Sequence, residues 1–336
     1  MGETMTAMML TRKGGPEVLV KTELPLPEPG PGELRVRVRA TGVGSTDVTM
    51  RRGYYPFAPK LPFAPGYESV GIVDAIGAGV TGYRLGERVA ALLVYGGYAT
   101  HVVRGAEEWF KVPQGLSDAS VAALILNYGT AYQAIHRTAA MRPGQTALVT
   151  GAAGGVGQAL VQLLVAHGVR VIAAASRRSH PILSALGAEP IEGRQGPIDG
   201  ATLALVPGGV DACFDGIGGD QLRQCIGATK RGGVVVWYGF MGLGGGIWGT
   251  LRNVFDLFVA ARLRGRIGRF YGITALYRRD PRPLREDVPK LLELLGRGAI
   301  APRIALTLPL TEAVEANRRL EAGGLDGKII LSVGPQ

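Results

Sequence analysis

The spacing of apolar residues separates a strand-rich first third from a remainder in which strands and helices alternate. The segment ELRVRVRATGVG, residues 33–44, alternates polar and apolar side chains, which is typical of a half-buried strand. SVGIVDAIGAGV, ERVAALLV and YATHVV add short apolar runs that are broken by glycines. Several short strands with turns between them predict a small β-barrel or a folded antiparallel sheet.

The pattern changes near residue 118, where SDASVAALILNYGTAYQAIHRTA predicts a helix with Ser117 or Asp118 as its cap. The strands TALVT, VRVIAAAS, VDACFDGI and GVVVWYG then alternate with the helices GVGQALVQLLVAHG, HPILSALG and GDQLRQCIGATK. Strands and helices that alternate at this spacing indicate a parallel, doubly wound sheet.

The last third returns to helices, REDVPKLLELLGRG and TEAVEANRRLEAG, and closes with the strand KIILSV. The sequence therefore predicts an α/β protein of two domains. We expect residues 1–118 and 275–336 to form one domain, and residues 119–274 to form the other.

Length and composition agree with this division. The chain has 336 residues, enough for two domains with cores of their own, and 46% of them are hydrophobic. Its first residues hold no apolar run long enough for a signal peptide or a membrane helix. Cys213 and Cys225 form neither a CxxC pair nor a disulfide framework, so we expect buried thiols and a cytoplasmic location.

The chain is basic, with a formal net charge of +10. Most of its positive residues are arginines spread along the sequence, with a cluster at residues 262–285. We interpret the charge as attraction for anionic ligands, and we do not expect nucleic acid as a partner.

A glycine loop lies between a strand and a helix in TALVTGAAGGVGQALVQLL, residues 146–164. Ala152, Gly154 and Gly157 have the spacing of the dinucleotide fingerprint, with alanine in the first glycine position. Gly154 allows the backbone to approach a pyrophosphate, and Gly157 allows the helix to pack closely on the strand. The alternative is a glycine turn that binds no ligand, but the surrounding doubly wound unit favours a nucleotide.

The end of the next strand, IAAASRR, indicates which nucleotide is bound. An enzyme that uses NAD carries an acidic residue here, whereas this chain has Ser176, Arg177 and Arg178. Guanidinium groups pair with the 2′-phosphate that distinguishes NADPH, so we predict NADPH as the cofactor. The alternative is that both arginines are only solvated.

Motifs along essentially the whole chain resemble one family. GGPEVL, RVRATGVGSTD, PFAPGYESVGIV, GGYA, NYGTAY and GAAGGVG are similar to the quinone oxidoreductase and enoyl reductase branch of the medium-chain dehydrogenase/reductase superfamily. NYGTAYQAIHR and REDVPKLLELL resemble its vesicle amine transport protein-like subgroup in particular. The resemblance implies a GroES-like, β-rich catalytic domain, a Rossmann domain that binds NADPH, and a homodimer.

Zinc-dependent members of the superfamily carry a cysteine where this chain has Gly44 and a histidine where it has Tyr67. Glu68 remains without those ligands, and the chain's four histidines include no spaced pair. Zinc requires three or four nitrogen, sulfur or oxygen ligands, so we predict no metal site. Oxidation of an unactivated alcohol is favoured by a Lewis acid, whereas reduction of a C=C bond conjugated to a carbonyl needs only a hydrogen-bond donor and a proton source.

Tyr55, in Gly53-Tyr54-Tyr55, is the predicted hydrogen-bond donor and proton source, because the resemblance implies proton delivery or substrate orientation for a tyrosine at this position. The alternative is a tyrosine that only packs at the edge of a loop. The family's quinone reductases carry an asparagine at Gly44 and a tyrosine at Thr49, so this chain departs from them at both positions. The predicted pocket for an apolar small-molecule or acyl substrate is lined by Gly44, Thr49, Tyr54, Phe57, Tyr95, Asn127, Tyr128, Met241 and Trp248.

Further cofactor contacts follow from the fingerprint and the resemblance together. The predicted cofactor-binding residues are Thr130, Ala152, Gly154, Gly155, Val156, Gly157, Ser176, Arg177, Arg178, Gly216, Gly239, Phe240 and Lys328, with Lys328 directed at the phosphates.

The segment GLGGGIWGTLRNVFDLFVAARLRGRIGRFYG, residues 242–272, is open to three interpretations. Its apolar positions recur at helical spacing among arginines, so it is a mobile wall over the substrate, a dimer contact or a basic helix on an anionic membrane. Membrane contact is the least favoured, because amphipathic helices in globular chains usually face a core.

Three functions are compatible with the sequence. The favoured function is NADPH-dependent reduction of an enone or enoyl thioester, and the second is reduction of a quinone. A third is that of an NADPH-binding adaptor that associates with membrane or RNA without useful turnover.

Overall fold

The computed structural model describes residues 2–239 and 246–334 of the chain. The first part is built mainly of strands, as its alternating residues predict. Its strands and α-helices are β1 (Thr4–Leu10), β2 (Leu19–Pro25), β3 (Glu33–Val43), α1 (Ser45–Arg51), β4 (Glu68–Ile76), β5 (Arg88–Leu92), β6 (His101–Gly105), β7 (Phe110–Lys111) and α2 (Asp118–Gln133). Ser117 caps α2, because its Oγ accepts a hydrogen bond from the backbone N–H of Ser120 at 3.1 Å.

The middle part alternates strands and helices. Its elements are β8 (Thr146–Thr150), α3 (Gly155–Ala166), β9 (Arg170–Ala175), α4 (His180–Ala185), β10 (Glu189–Glu192), α5 (Ile198–Leu205), β11 (Val210–Asp215), α6 (Asp220–Ala228), β12 (Thr229–Trp237), α7 (Gly246–Phe255), α8 (Ala261–Leu263), β13 (Ile267–Phe270) and α9 (Ile273–Arg279). Single π-helical segments follow α2, at Ala134–Ala139, and α7, at Asp256–Ala260.

The last part supplies α10 (Arg282–Gly296), β14 (Ile304–Pro309), α11 (Ala313–Ala322) and β15 (Lys328–Ser332). The predicted helices and closing strand of this part are therefore confirmed.

The middle strands form a six-stranded parallel sheet in the order β10-β9-β8-β11-β12-β13. Strands β8, β9 and β10 extend in one direction and β11, β12 and β13 in the other, so the order reverses between β8 and β11. Ligands of doubly wound sheets bind at the carboxyl ends of the strands beside such a reversal. Leu148, Ile172, Cys213 and Trp237 pack in one core beneath this sheet, and both cysteines of the chain are buried, as expected.

The remaining strands form a second sheet, in the order β14-β15-β3-β4-β5-β7, with β6 paired to β3. β3 is antiparallel to β4, β6 and β15, and it buries Leu34, Val36 and Val38 on one face. β1 and β2 form a separate antiparallel pair. This sheet is the predicted GroES-like part, and the parallel sheet is the Rossmann part.

The chain divides into two compact units. Unit 1 comprises Met1–Leu126 and Pro281–Gln336, and unit 2 comprises Asn127–Asp280. The boundaries expected from the sequence, at residues 118 and 274, fall at the start of α2 and inside α9. Among residues 2–239 and 246–334, no helix has both the length and the apolar character needed to cross a bilayer.

Candidate functional site

The glycine loop of unit 2 connects the end of β8 to the start of α3. Gly151 makes the turn with a φ of +58°, a conformation that glycine adopts without strain. Its carbonyl oxygen accepts a hydrogen bond from the N–H of Gly154 at 3.0 Å. α3 begins at Gly155, so backbone N–H groups at its first turn are available to an anion. Gly151 was not among the predicted site residues, although it is the first glycine of the motif GAAGGVG.

The glycines of this loop have different surroundings. A side chain on Gly157 would overlap the carbonyl oxygen of Gly151 and lie 2.7 Å from the Cα of Ala152. A Cβ on Gly154 would meet only the Gly151 oxygen, at 3.3 Å, and would otherwise point into open space. Gly157 is therefore required by packing, whereas Gly154 leaves room above the loop for a bound phosphate.

Two polar side chains, those of Gln158 and Asn127, lie against the loop. Gln158 donates a hydrogen bond from Nε2 to the carbonyl oxygen of Ala153 at 2.7 Å. The amide of Asn127 is so close to Gly155 that a Cβ there would overlap its Nδ2 atom. Asn127 and Thr130 are both buried. The loop thus has the shape and the donors that a diphosphate needs, while Val156 at the start of α3 is partly exposed.

A buried carboxylate organises the neighbouring loop after β11. Asp215 accepts hydrogen bonds from the hydroxyl of Thr150 at 2.6 Å and from the N–H of Gly218 at 2.8 Å. Burial raises the pKa of this carboxyl group above its usual range. A side chain on Gly239 would overlap the carbonyl oxygen of Gly216, so the ends of β11 and β12 are in close contact. The predicted residues Phe240 and Met241 lie outside the described residues.

The predicted 2′-phosphate residues follow β9. Ser176 is partly exposed, and Arg177 and Arg178 are exposed. The side chain of Arg177 is 84% exposed, and its Nε lies 3.5 Å from an oxygen of Glu192. The sequence did not reveal this carboxylate, because Glu192 ends the adjacent strand β10 rather than β9 itself.

Two tyrosines share a hydrogen bond in unit 1. The hydroxyl oxygens of Tyr55 and Tyr67 are 2.7 Å apart. The Tyr55 ring packs edge-on against Phe57, with centroids 5.8 Å apart, and against Tyr67, with centroids 6.3 Å apart. Burial raises the pKa of the Tyr67 hydroxyl well above its ordinary value of 10.0, and the nearby Tyr55 and Glu68 raise it further.

Glu68, which follows Tyr67 in the sequence, belongs to a buried ion pair. Lys328 Nζ is 2.8 Å from an oxygen of Glu68, and both side chains are almost fully buried. A Cβ on Gly44 would lie 3.5 Å from Lys328 Nζ, and a side chain on Gly42 would overlap both members of the pair. The sequence did not reveal this partner of Glu68, because the two residues are far apart in the chain. The predicted contact of Lys328 with cofactor phosphates stays a prediction.

Asp47 fixes the segment that precedes Tyr67. It accepts hydrogen bonds from the N–H of Gly44 at 2.8 Å and from the N–H of Gly66 at 3.0 Å. The Tyr98 hydroxyl lies 3.4 Å from the same carboxylate. Burial raises the pKa of the Asp47 carboxyl. Asp47 therefore holds the loops at Gly44 and Gly66 together by hydrogen bonds.

The remaining predicted pocket residues have varied positions. Thr49 donates its hydroxyl proton to the carbonyl of Thr46, and Tyr95 packs edge-on against Phe63. Tyr54 is 76% exposed and Trp248 is 78% exposed, whereas Tyr128 is only 2% exposed. Within unit 1 the structure thus groups Phe57 with the tyrosine pair, and it leaves Tyr54 in solvent.

The part of the chain that the structure describes contains no cluster of three histidine, cysteine, aspartate or glutamate residues placed to bind a metal ion. The two ligand positions of zinc-dependent relatives are occupied by Gly44 and Tyr67. Neither side chain is a zinc ligand of the usual kind.

Comparisons with known proteins identify the family. Residues 30–117 match the family model of the alcohol dehydrogenase GroES-like domain, and residues 186–331 match that of the zinc-binding dehydrogenases. The quinone oxidoreductase-like protein 2 homolog of Nematostella vectensis is 31% identical over 296 residues, covering 87% of this chain and 79% of that protein. The chain belongs to the medium-chain dehydrogenase/reductase superfamily.

Two solved structures of this superfamily are similar over nearly the whole chain. The human synaptic vesicle membrane protein VAT-1 homolog-like protein has a TM-score of 0.86 at 29% identity, covering 99% of both chains. A mycobacterial protein solved with NADPH has a TM-score of 0.84 at 28% identity, covering 98% of this chain and 99% of that one. As a medium-chain dehydrogenase/reductase, this protein is an oxidoreductase of an NAD(P)-dependent family.

Proposed function

We propose that this protein is an NADPH-dependent reductase of a C=C bond conjugated to a carbonyl, acting on an apolar enone or an enoyl thioester. The observation that carries the proposal is the hydroxyl pair of Tyr55 and Tyr67, 2.7 Å apart. Tyr67 occupies the position of a metal ligand in zinc-dependent relatives, so this chain carries a hydroxyl group where they carry a ligand of the Lewis acid.

The cofactor fits unit 2. The loop from Gly151 to Gly157 would hold the diphosphate, and Ser176, Arg177 and Arg178 would hold the 2′-phosphate. When bound, NADPH supplies the hydride that reduces the double bond. The exposed guanidinium of Arg177 favours NADPH over NADH, since its 3.5 Å contact with Glu192 is too long for a strong hydrogen bond.

The chain's own contribution to the reaction is the Tyr55 hydroxyl. A neutral phenol donates a hydrogen bond to a carbonyl oxygen, which stabilises the negative charge that develops there during reduction. It also gives up its proton to the reduced substrate. Tyr55 is only partly buried, whereas Tyr67 is buried.

The decisive experiment measures NADPH oxidation on a panel of enones, enoyl thioesters and quinones, for the wild type and for Tyr55→Phe. We expect turnover of the conjugated substrates, reduced about 100-fold by Tyr55→Phe because a positioned proton donor is lost. Tyr54→Phe is the matched control, since it removes a neighbouring exposed hydroxyl and should leave turnover unchanged. Undiminished turnover by Tyr55→Phe would remove Tyr55 from the mechanism.

A second candidate is reduction of a quinone, which the name of the Nematostella vectensis relative favours. The same panel separates the two, because a quinone reductase would turn over quinones and leave enones and enoyl thioesters unchanged. Tight NADPH binding with no turnover on any class would instead support the adaptor function.

The cofactor preference has its own test. We expect Arg177→Gln to weaken NADPH binding by about tenfold, because one charge-assisted hydrogen bond to phosphate is lost, and to leave NADH binding unchanged. Arg142→Gln, at an exposed arginine in the turn before β8, is the control for the loss of a positive charge. Equal affinity of the wild type for both nucleotides would contradict the NADPH assignment.

A further inference from the structure

The hydroxyl group of Tyr67 gives no proton to the substrate in the proposed reaction, yet its oxygen lies 2.7 Å from that of the proposed proton donor, Tyr55. Two phenol oxygens 2.7 Å apart form one hydrogen bond, in which one hydroxyl group donates and the other accepts. The direction of this hydrogen bond decides where the second proton points.

Tyr67 is the fixed member of the pair. Its side chain is only 2% exposed. Its carbonyl oxygen accepts hydrogen bonds from the N–H groups of Leu93 at 2.8 Å and Val94 at 3.0 Å. The next residue, Glu68, is anchored by its ion pair with Lys328. The backbone of Tyr67 cannot move without breaking these contacts, and its side chain is enclosed by its surroundings.

The surroundings of Tyr67 also keep its proton in place. The hydroxyl is buried, and the carboxyl groups of Asp47 and Glu68 are close enough to raise its pKa. Negative charge on Tyr67 is therefore unfavourable. A hydroxyl that retains its proton acts as a donor toward an oxygen that loses one.

We propose that Tyr67 is a positioning residue, which donates its hydroxyl proton to Tyr55 Oη and so directs the Tyr55 proton toward the substrate. This inference rests on the proposed function. In the reaction, the Tyr55 O–H bond breaks and the proton goes to the enolate formed by hydride addition. The hydrogen bond from Tyr67 stabilises the phenolate left on Tyr55 until water returns a proton.

The test is Tyr67→Phe, which removes the hydroxyl and keeps the ring that packs against Tyr55. We expect kcat to fall about tenfold, as for the loss of one hydrogen bond to a charged group, while KM and NADPH affinity stay unchanged. In the Tyr55→Phe background the same substitution should have no further effect on kcat, because Tyr67 acts only through Tyr55. If Tyr67→Phe acted only by destabilising the fold, it would change KM or add to the effect of Tyr55→Phe.

A second measurement is independent of turnover. The buried, hydrogen-bonded proton of Tyr67 should give a slowly exchanging NMR resonance in the wild type. Tyr55→Phe removes its acceptor, so the resonance should be lost or shifted strongly. Persistence of an unchanged resonance would show that Tyr67 is the acceptor, and would overturn the inference even if the protein reduces none of the substrates.

The outcomes distinguish this inference from the proposed function. Normal kcat in Tyr67→Phe, beside a large loss in Tyr55→Phe, refutes the role of Tyr67 and leaves the reductase intact. An absence of turnover on the whole panel refutes the reductase, while the NMR experiment still decides which tyrosine donates.

Discussion

Lys328 and Glu68 form an ion pair that water hardly reaches. Such a pair contributes little net stability, because the loss of hydration offsets most of the attraction between the charges. Its members nevertheless depend on each other, since removal of one leaves an uncompensated charge in the interior. The pair also excludes any side chain at Gly42, which it contacts closely.

We therefore expect Lys328→Met to lower the free energy of unfolding by about 3–5 kcal/mol. The double substitution Lys328→Met with Glu68→Gln should recover most of this loss, because it removes both charges together. Urea denaturation measures both changes. Lys21→Met, which removes a lysine that pairs with the exposed Glu23 at 3.7 Å, is the control and should cost about 0.5 kcal/mol or less. Equal destabilisation by the single and double substitutions would contradict this interdependence.

Asp47 links stability to pH. Its pKa in the folded protein is raised by burial above the ordinary 3.8, so the folded state binds a proton more readily than the unfolded chain. The associated stability is present below that ordinary value and is lost as the pH rises through the raised pKa. The wild type therefore loses stability over this window, whereas a variant with an uncharged residue does not.

Asp47→Asn should cost about 1–3 kcal/mol, because the amide nitrogen cannot accept the hydrogen bond of Gly44 or Gly66. The cost should be largest at low pH and should shrink as the pH rises through the raised pKa. Denaturation of both proteins at about pH 4 and about pH 8 measures the difference. A cost that grows with pH would show that the folded-state pKa is lowered instead.

At the scale of elements, the loop between β8 and α3 combines two glycines with separate functions. Gly157→Ala should destabilise unit 2 by about 2 kcal/mol or more, because the new methyl group overlaps backbone atoms of Gly151 and Ala152. Gly154→Ala should leave stability nearly unchanged and weaken NADPH binding about tenfold or more, because the methyl group enters the space for the diphosphate. Thermal denaturation and nucleotide titration of both variants separate these effects. Loss of stability in both would mean that Gly154 is also needed for packing.

The sequence predicts the elements that bury one regular face. The alternation in β3, the helical spacing in α2 and α3 and the apolar strands β8, β9, β11 and β12 are all confirmed. Strand β10 and helix α5 were not predicted. β10 has only four residues and contains Pro190, which an edge strand tolerates because one side of its backbone is unpaired. α5 follows glycines and a proline, and its short apolar pattern is that of a turn as much as of a helix.

Within the site, local motifs were predictable and long-range pairs were not. The glycine loop and the basic end of β9 were identified because their residues are adjacent in sequence. The partner of Glu68, the carboxylate beside Arg177 and the Tyr67 contact of Tyr55 depend on register between strands and loops. Asp215 could have been recognised from the sequence as a site residue, because it is an acidic residue at the end of an apolar strand, and buried carboxylates are uncommon.

At the scale of the whole molecule, a run of exposed apolar side chains extends from α7 to β13. Its exposed side chains are Trp248, Leu251, Val254, Phe255, Phe258, Val259, Leu263, Ile267 and Phe270. β13 is the last strand in the order of its sheet, and within the described residues no strand pairs with its outer edge. An open strand edge beside an apolar face matches a second copy of itself across a two-fold axis, since each copy offers both features.

We propose that this surface forms a homodimer. Phe258→Glu and Leu263→Glu should each shift the protein from dimer to monomer in sedimentation experiments, because they bury a charge in an apolar contact. Leu205→Glu, at an exposed leucine of α5, is the control and should leave the dimer intact. A monomeric wild type that binds vesicles of anionic lipid would instead favour the membrane interpretation of this segment.

The ammonium group next to Gly44 bears on how this protein could evolve. The Cβ of a cysteine introduced at Gly44 would lie close to the ammonium group of Lys328. Replacement of Tyr67 by histidine would remove the hydroxyl group that contacts Tyr55, even if no metal were bound. Neither substitution alone would therefore create a metal site, and Lys328 would also have to be replaced. A metal site at these two positions would therefore need several substitutions at once, which makes its stepwise gain in this chain unfavourable.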